Sequence, residues 1–521
     1  MATSTSSSMS SSATSTLEFE TCSGQTDTNI QCGTLQVPLD YTAQNSKRQT
    51  SSITLNLTIL RIQSISETPR NQSILFNPGG PGASGIDFLY SSYSTWWKLF
   101  GDDFDLISFD PRGVERTLGQ FTCQEVGSSN LTASNSSSLA QALSISIAQG
   151  KQCEAENPEK GEIIGTAFVA RDMLQIVNAL EENGYQADGL LRYMGFSYGT
   201  ALGDTFAAMF PDKVGRMVLD GNQDPNEYWN LMSFASDFQD MDLTVAAFFE
   251  GCATYPDNCA LTNTDDLDGP GLQAKFTDYV ASVANGTISP SSQTTETGAD
   301  AALYVQNTFF GALYAPDGWP DFSVTLQNFY DDWASIFSAS SNSRKPKRKT
   351  RRQTGEVDMA VNAINCADSA ITESGVTVTD LENEVQKVAG YEKSFSAENQ
   401  IDDYLASYEQ AENANALFPG SVLVDHRGFG HCTASQYSIC TLKAQADYMK
   451  NGTLPAVGTV CYPAIPVFST EGEVSIYGWA GEKRDDVIVE KEDDDGDEQG
   501  WHIIGQELQS LWNQHLIERV R

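Results

Sequence analysis

Apolar and polar residues alternate through SITLNLTILRI (52–62), the two-residue period of a strand with one face buried. Two shorter apolar runs follow, each stopped by a Gly/Pro cluster: SILFNPGGPGASG at 73–85 and FDLISFDPRGVERT at 104–117. Over TAFVARDMLQIVNALEEN (166–183) the period becomes helical, with Phe168, Met173, Ile176, Val177 and Leu180 on one face and Gly184 placed to end the helix. LLRYMGFSYGT (190–200) then reads as a strand, a turn at Ser197 and the start of a helix, and GRMVLDG (215–221) as a further strand. Strands alternating with helices predict an α/β protein with a doubly wound, mostly parallel sheet.

From about 228 to 360 that rhythm is lost. Aromatic residues are frequent, helices are expected and no strand stands out, which reads as an inserted helical cap. The stretch contains a basic run, RKPKRKTRR (344–352), expected to be an exposed loop, with a protease-processing site as the alternative. Sheet-like sequence returns in SVLVDHRGFGH (421–431), followed by a helix around LKAQADYMKNG. The expected division is a Ser/Thr-rich disordered start (1–16), a first core segment (17–227), the cap (228–360), a second core segment (361–481) and an acidic tail without catalytic duty (482–521).

Charge narrows the partners. With 69 acidic and 31 basic residues the net charge is −38, so phosphate backbones and anionic lipid are repelled, and neither nucleic acid nor membrane is expected as a partner. No apolar run approaches the ~18 residues needed to cross a bilayer. The ten cysteines include no C-x-x-C pair, and with only four histidines no metal or other cofactor is expected. The short loops Cys22/Cys32, Cys252/Cys259 and Cys440/Cys461 suggest local disulfides, with the full connectivity open. Together with six N-x-S/T sequons, at Asn56, Asn71, Asn130, Asn135, Asn285 and Asn451, they favour a secreted protein. The start MATSTSSSMSSSATSTLEF has no apolar core for a signal peptide, so the natural start is expected upstream.

The candidate chemistry centres on Gly195-Phe196-Ser197-Tyr198-Gly199, a G-x-S-x-G between a strand and a helix. That bend needs small residues on both sides of the serine and lifts its hydroxyl above the sheet edge. A serine hydroxyl needs a base within hydrogen-bond reach. His502 and His515 lie in the tail and His426 in or beside a strand. His431 follows a strand end, in the loop region where parallel sheets gather their sites, and comes after the serine, so it is the candidate base. The oxyanion would be met by the backbone N–H of Tyr198, at a helix start, and by a glycine of NPGGPG: Gly80, with Gly79 as the alternative.

NPGGPGASG, FDPRGVERT, TAFVARDM, GFSYGT, VLDGNQDP, NCADS, FPGSVLV, GFGHC and YMKNGTLPAVGTVC occur in the order found in the secreted tripeptidyl aminopeptidase-like members of the proline iminopeptidase family. Over roughly residues 18 to 470 the chain resembles the fungal proteins of that family with a TAP-like C-terminal region. The resemblance implies an α/β-hydrolase fold, a helical cap and a serine exopeptidase that removes short peptides from a free N-terminus. It implies Ser197 as nucleophile, His431 as base and, counting back from Phe418 by the family spacing, Asp403 as the triad acid. Here the chain departs from the family. EKSFSAENQI, where an apolar strand belongs, is polar, and a Cys-x-x-Trp that would partner Cys366 is missing. Asp402 and Asp220 therefore stay open as alternatives. The expected partner is a peptide with a free N-terminus; a small-ester hydrolase and a catalytically impaired relative are the rival readings, and the oligomeric state is open.

Overall fold

The computed structural model describes residues 16–42, 53–127, 136–230, 235–262, 267–337, 356–369, 376–391, 407–469 and 498–520. A seven-stranded sheet lies at its centre. Its strands are β1 (Phe19–Thr21), β2 (Ile30–Pro38), β3 (Thr54–Ile62), β4 (Ser73–Asn77), β5 (Asp105–Phe109), β7 (Leu191–Phe196) and β8 (Val214–Asp220), in the order β1-β2-β3-β5-β4-β7-β8. The sheet is mixed. β1, β2, β3 and β5 pair antiparallel, and the block β5-β4-β7-β8 is parallel. Within the parallel block β4, β5 and β7 are buried along their whole length, because both faces are covered there, whereas β8 is half-buried.

Alternate residues of those strands feed two cores. Ile74, Phe76, Leu106, Met194 and Phe196 face one side, packed with α1 (Gly85–Phe100) and α13 (Ile439–Asn451). Leu75, Ile107, Phe109, Leu191 and Tyr193 face the other, packed with α3 (Thr166–Glu182) and α4 (Tyr198–Met209). Beneath the second core Arg112 and Asp172, both fully buried, pair through two hydrogen bonds of 2.6 and 2.8 Å. The guanidinium also donates to the carbonyls of Pro38 and Leu39. The DPRG and ARDM motifs are thus one buried knot.

After β8 come α5 (Pro225–Asn230), α6 (Met241–Thr254), α7 (Gly269–Ala284), α8 (Gly298–Leu313) and α9 (Trp319–Asp331), an aromatic-rich helical stretch centred on Phe248, Phe309 and Trp319. The basic run 344–352 lies outside the described residues. A short strand that sequence did not suggest, β9 (Glu356–Asp358), pairs antiparallel with β6 (Thr122–Gln124) and leads into α10 (Ala360–Asp368). The strand expected in 421–431 is cut down to β10 (Asp425–His426), which pairs with β11 (Val460–Cys461) and not with the main sheet. The physical reason is local fastening: Asp425 N–H and Arg427 N–H donate to the carbonyls of Thr459 and Cys461, and Cys461 is bonded to Cys440.

All three expected short-loop disulfides form, Cys22–Cys32, Cys252–Cys259 and Cys440–Cys461, and a fourth joins Cys123 to Cys153. Cys366 and Cys432 form none. No helix among the described residues is long and apolar enough to cross a membrane. Within the segment expected as an acidic tail, α14 (Glu498–Val520) lies against α1 and the turn after His431.

Candidate active site

β7 ends at Phe196 and α4 begins at Tyr198, leaving Ser197 alone in the bend at φ 55°, ψ −127°. A non-glycine residue held there costs roughly 1–3 kcal/mol and persists only when its surroundings fix it. They do. Ser197 N–H donates to the Asp220 carbonyl at 3.0 Å, and its own carbonyl accepts from Thr200 N–H and Oγ1 at 2.8 and 2.7 Å. The flanking glycines allow the bend to close: a Cβ on Gly195 would lie 2.5 Å from the Gly199 carbonyl oxygen, and one on Gly199 2.8 Å from that of Asn77.

The NPGGPG loop lies directly against this bend. Gly79 has φ 87°, and a Cβ there would stand 2.3 Å from the Phe196 carbonyl oxygen and 3.0 Å from Tyr198 N. Gly79 N–H donates to Asn77 Oδ1 at 2.9 Å, and the next residue, Gly80, is joined to Pro81 by a cis peptide bond.

Below the elbow lies a group that sequence reasoning missed. Tyr198 OH is 2.6 Å from Thr166 Oγ1. Asp368 accepts from Thr166 N–H (2.6 Å), Thr166 Oγ1 (2.5 Å) and Tyr228 OH (2.7 Å). Burial raises the Asp368 carboxyl above the usual range, while those donors pull it back. The signal was present: the TAFVARDM and NCADS motifs supply Thr166 and Asp368, and they meet under the first residue of α4.

His431 is buried at 4 % exposure. Its N–H donates to the Tyr314 carbonyl at 3.1 Å, and its ring stands edge-on to Tyr314 at 5.3 Å. The segment after it is tied to Ser197. Cys432, at φ 68°, directs its Sγ to the Asp220 carbonyl at 3.4 Å, the same oxygen that accepts from Ser197 N–H. Thr433 donates to the Asp220 carboxylate from N–H (2.8 Å) and Oγ1 (2.7 Å). Chain segments more than two hundred residues apart thus share one residue at the carboxyl end of β8.

Those contacts also define Asp220: its carboxylate braces the turn after His431 and is engaged by Thr433 and Gln445. Asp402 and Asp403 lie outside the described residues. His426 is structural, with Nδ1 2.9 Å from Thr441 Oγ1 and Nε2 3.0 Å from the Gln436 carbonyl, and burial pushes its pKa down to about 4. His502 Nδ1 meets Tyr437 OH at 3.0 Å, and His515 packs on Phe88.

Past β8, the last strand of the sheet, lies a cavity of about 530 Å³ between that strand and residues 418–430. Neither Ser197 nor His431 lines it; Asp204, Asp237 and Asp240 do. Asp204 is 4 % exposed, and neither of its carboxylate oxygens has a hydrogen-bond partner among the described residues. Burial, and after it the nearby Asp224, pushes the Asp204 carboxyl up to about 8.

Sheet order, elbow and flanking helices define the α/β-hydrolase fold. The family model for that fold matches residues 72–254, and the model for TAP-like proteins matches residues 388–461. The chain is 27% identical over 377 residues to the serine protease Hip1 of Mycobacterium tuberculosis (strain ATCC 25618 / H37Rv), covering 69% of this chain and 67% of that protein. It is 32% identical over 207 residues to the tripeptidyl aminopeptidase of Streptomyces coelicolor, covering 38% of this chain and 36% of that protein. These similarities and the site support a hydrolase of the serine peptidase type.

Proposed function

We propose that the protein is a serine exopeptidase that releases short peptides or residues from free N-termini through an acyl-enzyme. The observation that carries this reading is the strained Ser197 bend joined, through the Asp220 carbonyl, to the segment bearing His431. In it Ser197 Oγ attacks the scissile carbonyl, and His431 takes the hydroxyl proton and returns it to the leaving amine. The oxyanion is held by N–H groups of Tyr198 and Gly80. Gly79, whose N–H donates to Asn77 Oδ1, is the alternative. Asp403 is assigned the triad acid, to fix the imidazole tautomer and stabilise the imidazolium, with Asp402 next in line. Asp220 is the poorest of the three, since Thr433 and Gln445 hold its carboxylate.

The tripeptidyl aminopeptidase relative supports action at a free N-terminus, with the cap helices excluding longer chains. Four disulfides and exposed sequon residues Asn56, Asn71, Asn285 and Asn451 support an extracellular, glycosylated protein. The test compares tripeptide amides bearing free and acetylated N-termini. The reading requires cleavage of the free form to be at least ~100-fold faster and to vanish in Ser197→Ala. Equal rates on both, with faster cleavage of small esters, would replace it with an esterase.

A further inference from the structure

Trp512, near the C-terminal end of α14, is buried at 2 % exposure and touches both halves of the site. Its indole Nε1–H donates to the main-chain carbonyl of His431 at 2.7 Å. Its ring packs on Phe196, the residue before the nucleophile, with centroids 4.8 Å apart. The same carbonyl also accepts from the Ser435 hydroxyl, and His431 N–H is held by Tyr314. The base is therefore fastened at its peptide groups on both sides, and one of those fastenings comes from the end of the chain.

α14 is itself secured. Glu507 pairs with Lys98 of α1 at 2.5 Å, His502 meets Tyr437 OH at 3.0 Å, and Trp512 stands edge-on to Phe88 at 6.1 Å. A surface ion pair contributes little by itself, so the buried aromatic contacts carry the docking. The catalytic histidine of a serine hydrolase must stay within a hydrogen bond of a hydroxyl fixed on a different segment, and a displacement of ~1 Å costs about a hundredfold in rate. The Trp512 indole spans those two segments, bonded to one and packed at a tilt on the other.

From this geometry we propose that Trp512 is a positioning residue: it sets the His431 loop against the Ser197 elbow, which makes α14 part of the catalytic apparatus. This rests on Ser197 and His431 acting as nucleophile and base. The two substitutions that separate its contacts are Trp512→Phe, which keeps an aromatic ring and loses the N–H, and Trp512→Ala, which loses both. Each full-length variant is titrated with a fluorophosphonate to count competent sites, and kcat and KM are then measured per titrated site on a free-N-terminal peptide amide.

The expected result is a fall in per-site kcat of about tenfold for Trp512→Phe, with KM changed by less than about twofold, as for the loss of one buried hydrogen bond felt at the transition state. Trp512→Ala falls further, so that the Phe ring rescues part of the loss. A purely structural role would lower the titratable fraction and the melting temperature and leave per-site kcat alone. That outcome in Trp512→Phe, with Ser197→Ala inactive, overturns the proposal and spares the peptidase reading; a Ser197→Ala enzyme that retained activity would remove the reading itself.

Discussion

On the β4 side of Ser197 the backbone is packed so closely that Gly79, Gly195 and Gly199 have no room for a Cβ, and the buried Arg112 and Asp172 answer each other bond for bond. On the β8 side the sheet stops, a cavity of about 530 Å³ follows, and Asp204 lies buried with both oxygens unmatched among the described residues. The two flanks of Ser197 are built differently. The tight one holds Ser197 and the amides around it; the loose one borders the turn after His431. In serine hydrolases the oxyanion hole and binding alone sustain roughly 10³–10⁴-fold catalysis when the triad is broken. Loss of a triad acid typically costs about 10⁴ in kcat, so the rate at which a fluorophosphonate labels Ser197 separates an intact triad from an impaired one.

The sharpest way to break the tight flank is Arg112→Ala. The Asp172 carboxylate would remain fully buried with its guanidinium gone, which costs about 3–5 kcal/mol. Urea unfolding should show the midpoint falling with the slope unchanged; a loss below ~1 kcal/mol would mean the pair is dispensable.

Next is Gly79→Ala, aimed at activity. The added methyl must push the loop away from Phe196 and Tyr198, and per-site kcat should fall by about a hundredfold with the fold kept. An alanine enzyme with native kcat would show that the loop takes no part in holding the oxyanion.

Asp204→Asn tests the loose flank and should have the opposite sign. The folded carboxyl titrates at about 8, against ~3.9 in an unfolded chain. Its contribution to stability is therefore full below pH ~4 and is lost as pH rises toward 8, by at most about 1.4 kcal/mol per unit. Asparagine removes that slope. The variant should gain up to about 4 kcal/mol at pH 7 and close to nothing at pH 4, read from melting or denaturant curves at both pH values. Equal gains at the two would mean the carboxyl does not titrate in that window.

How much of this was legible in sequence follows the same division. The strand-turn-helix around Ser197 could be read because local rules agree there: an apolar run, small residues at fixed offsets, then a helix. The short-loop disulfides were legible for the same reason, whereas Cys123–Cys153, across thirty residues, was not. Residues 421–426 were misread because their alternation fits a strand, but pairing depends on the neighbour available, and fastening to 459–461 leaves only Asp425 and His426 in a ladder. The roles of Asp368 and Trp512 escaped because each acts through contacts spanning more than eighty residues, which no local period encodes. Asp403 was reached only by family spacing and lies outside the described residues.

The smallest effect is also the most direct comparison of the flanks, because it asks one chemical question on both. Ala444 of α13 borders the cavity, while Ala201 of α4 is 2 % exposed inside the second core. Ala444→Leu places new methyl groups in open space on a helix that tolerates leucine well, and should stabilise by about 1 kcal/mol. Ala201→Leu puts the same groups where no space exists and should destabilise by about 1–3 kcal/mol. Opposite signs from one substitution would show that packing, and not the hydrophobicity of the new side chain, separates the two sides. If Ala444→Leu destabilised as well, the space beside β8 would already be filled by protein, and the contrast between the flanks would have to rest on Asp204 alone.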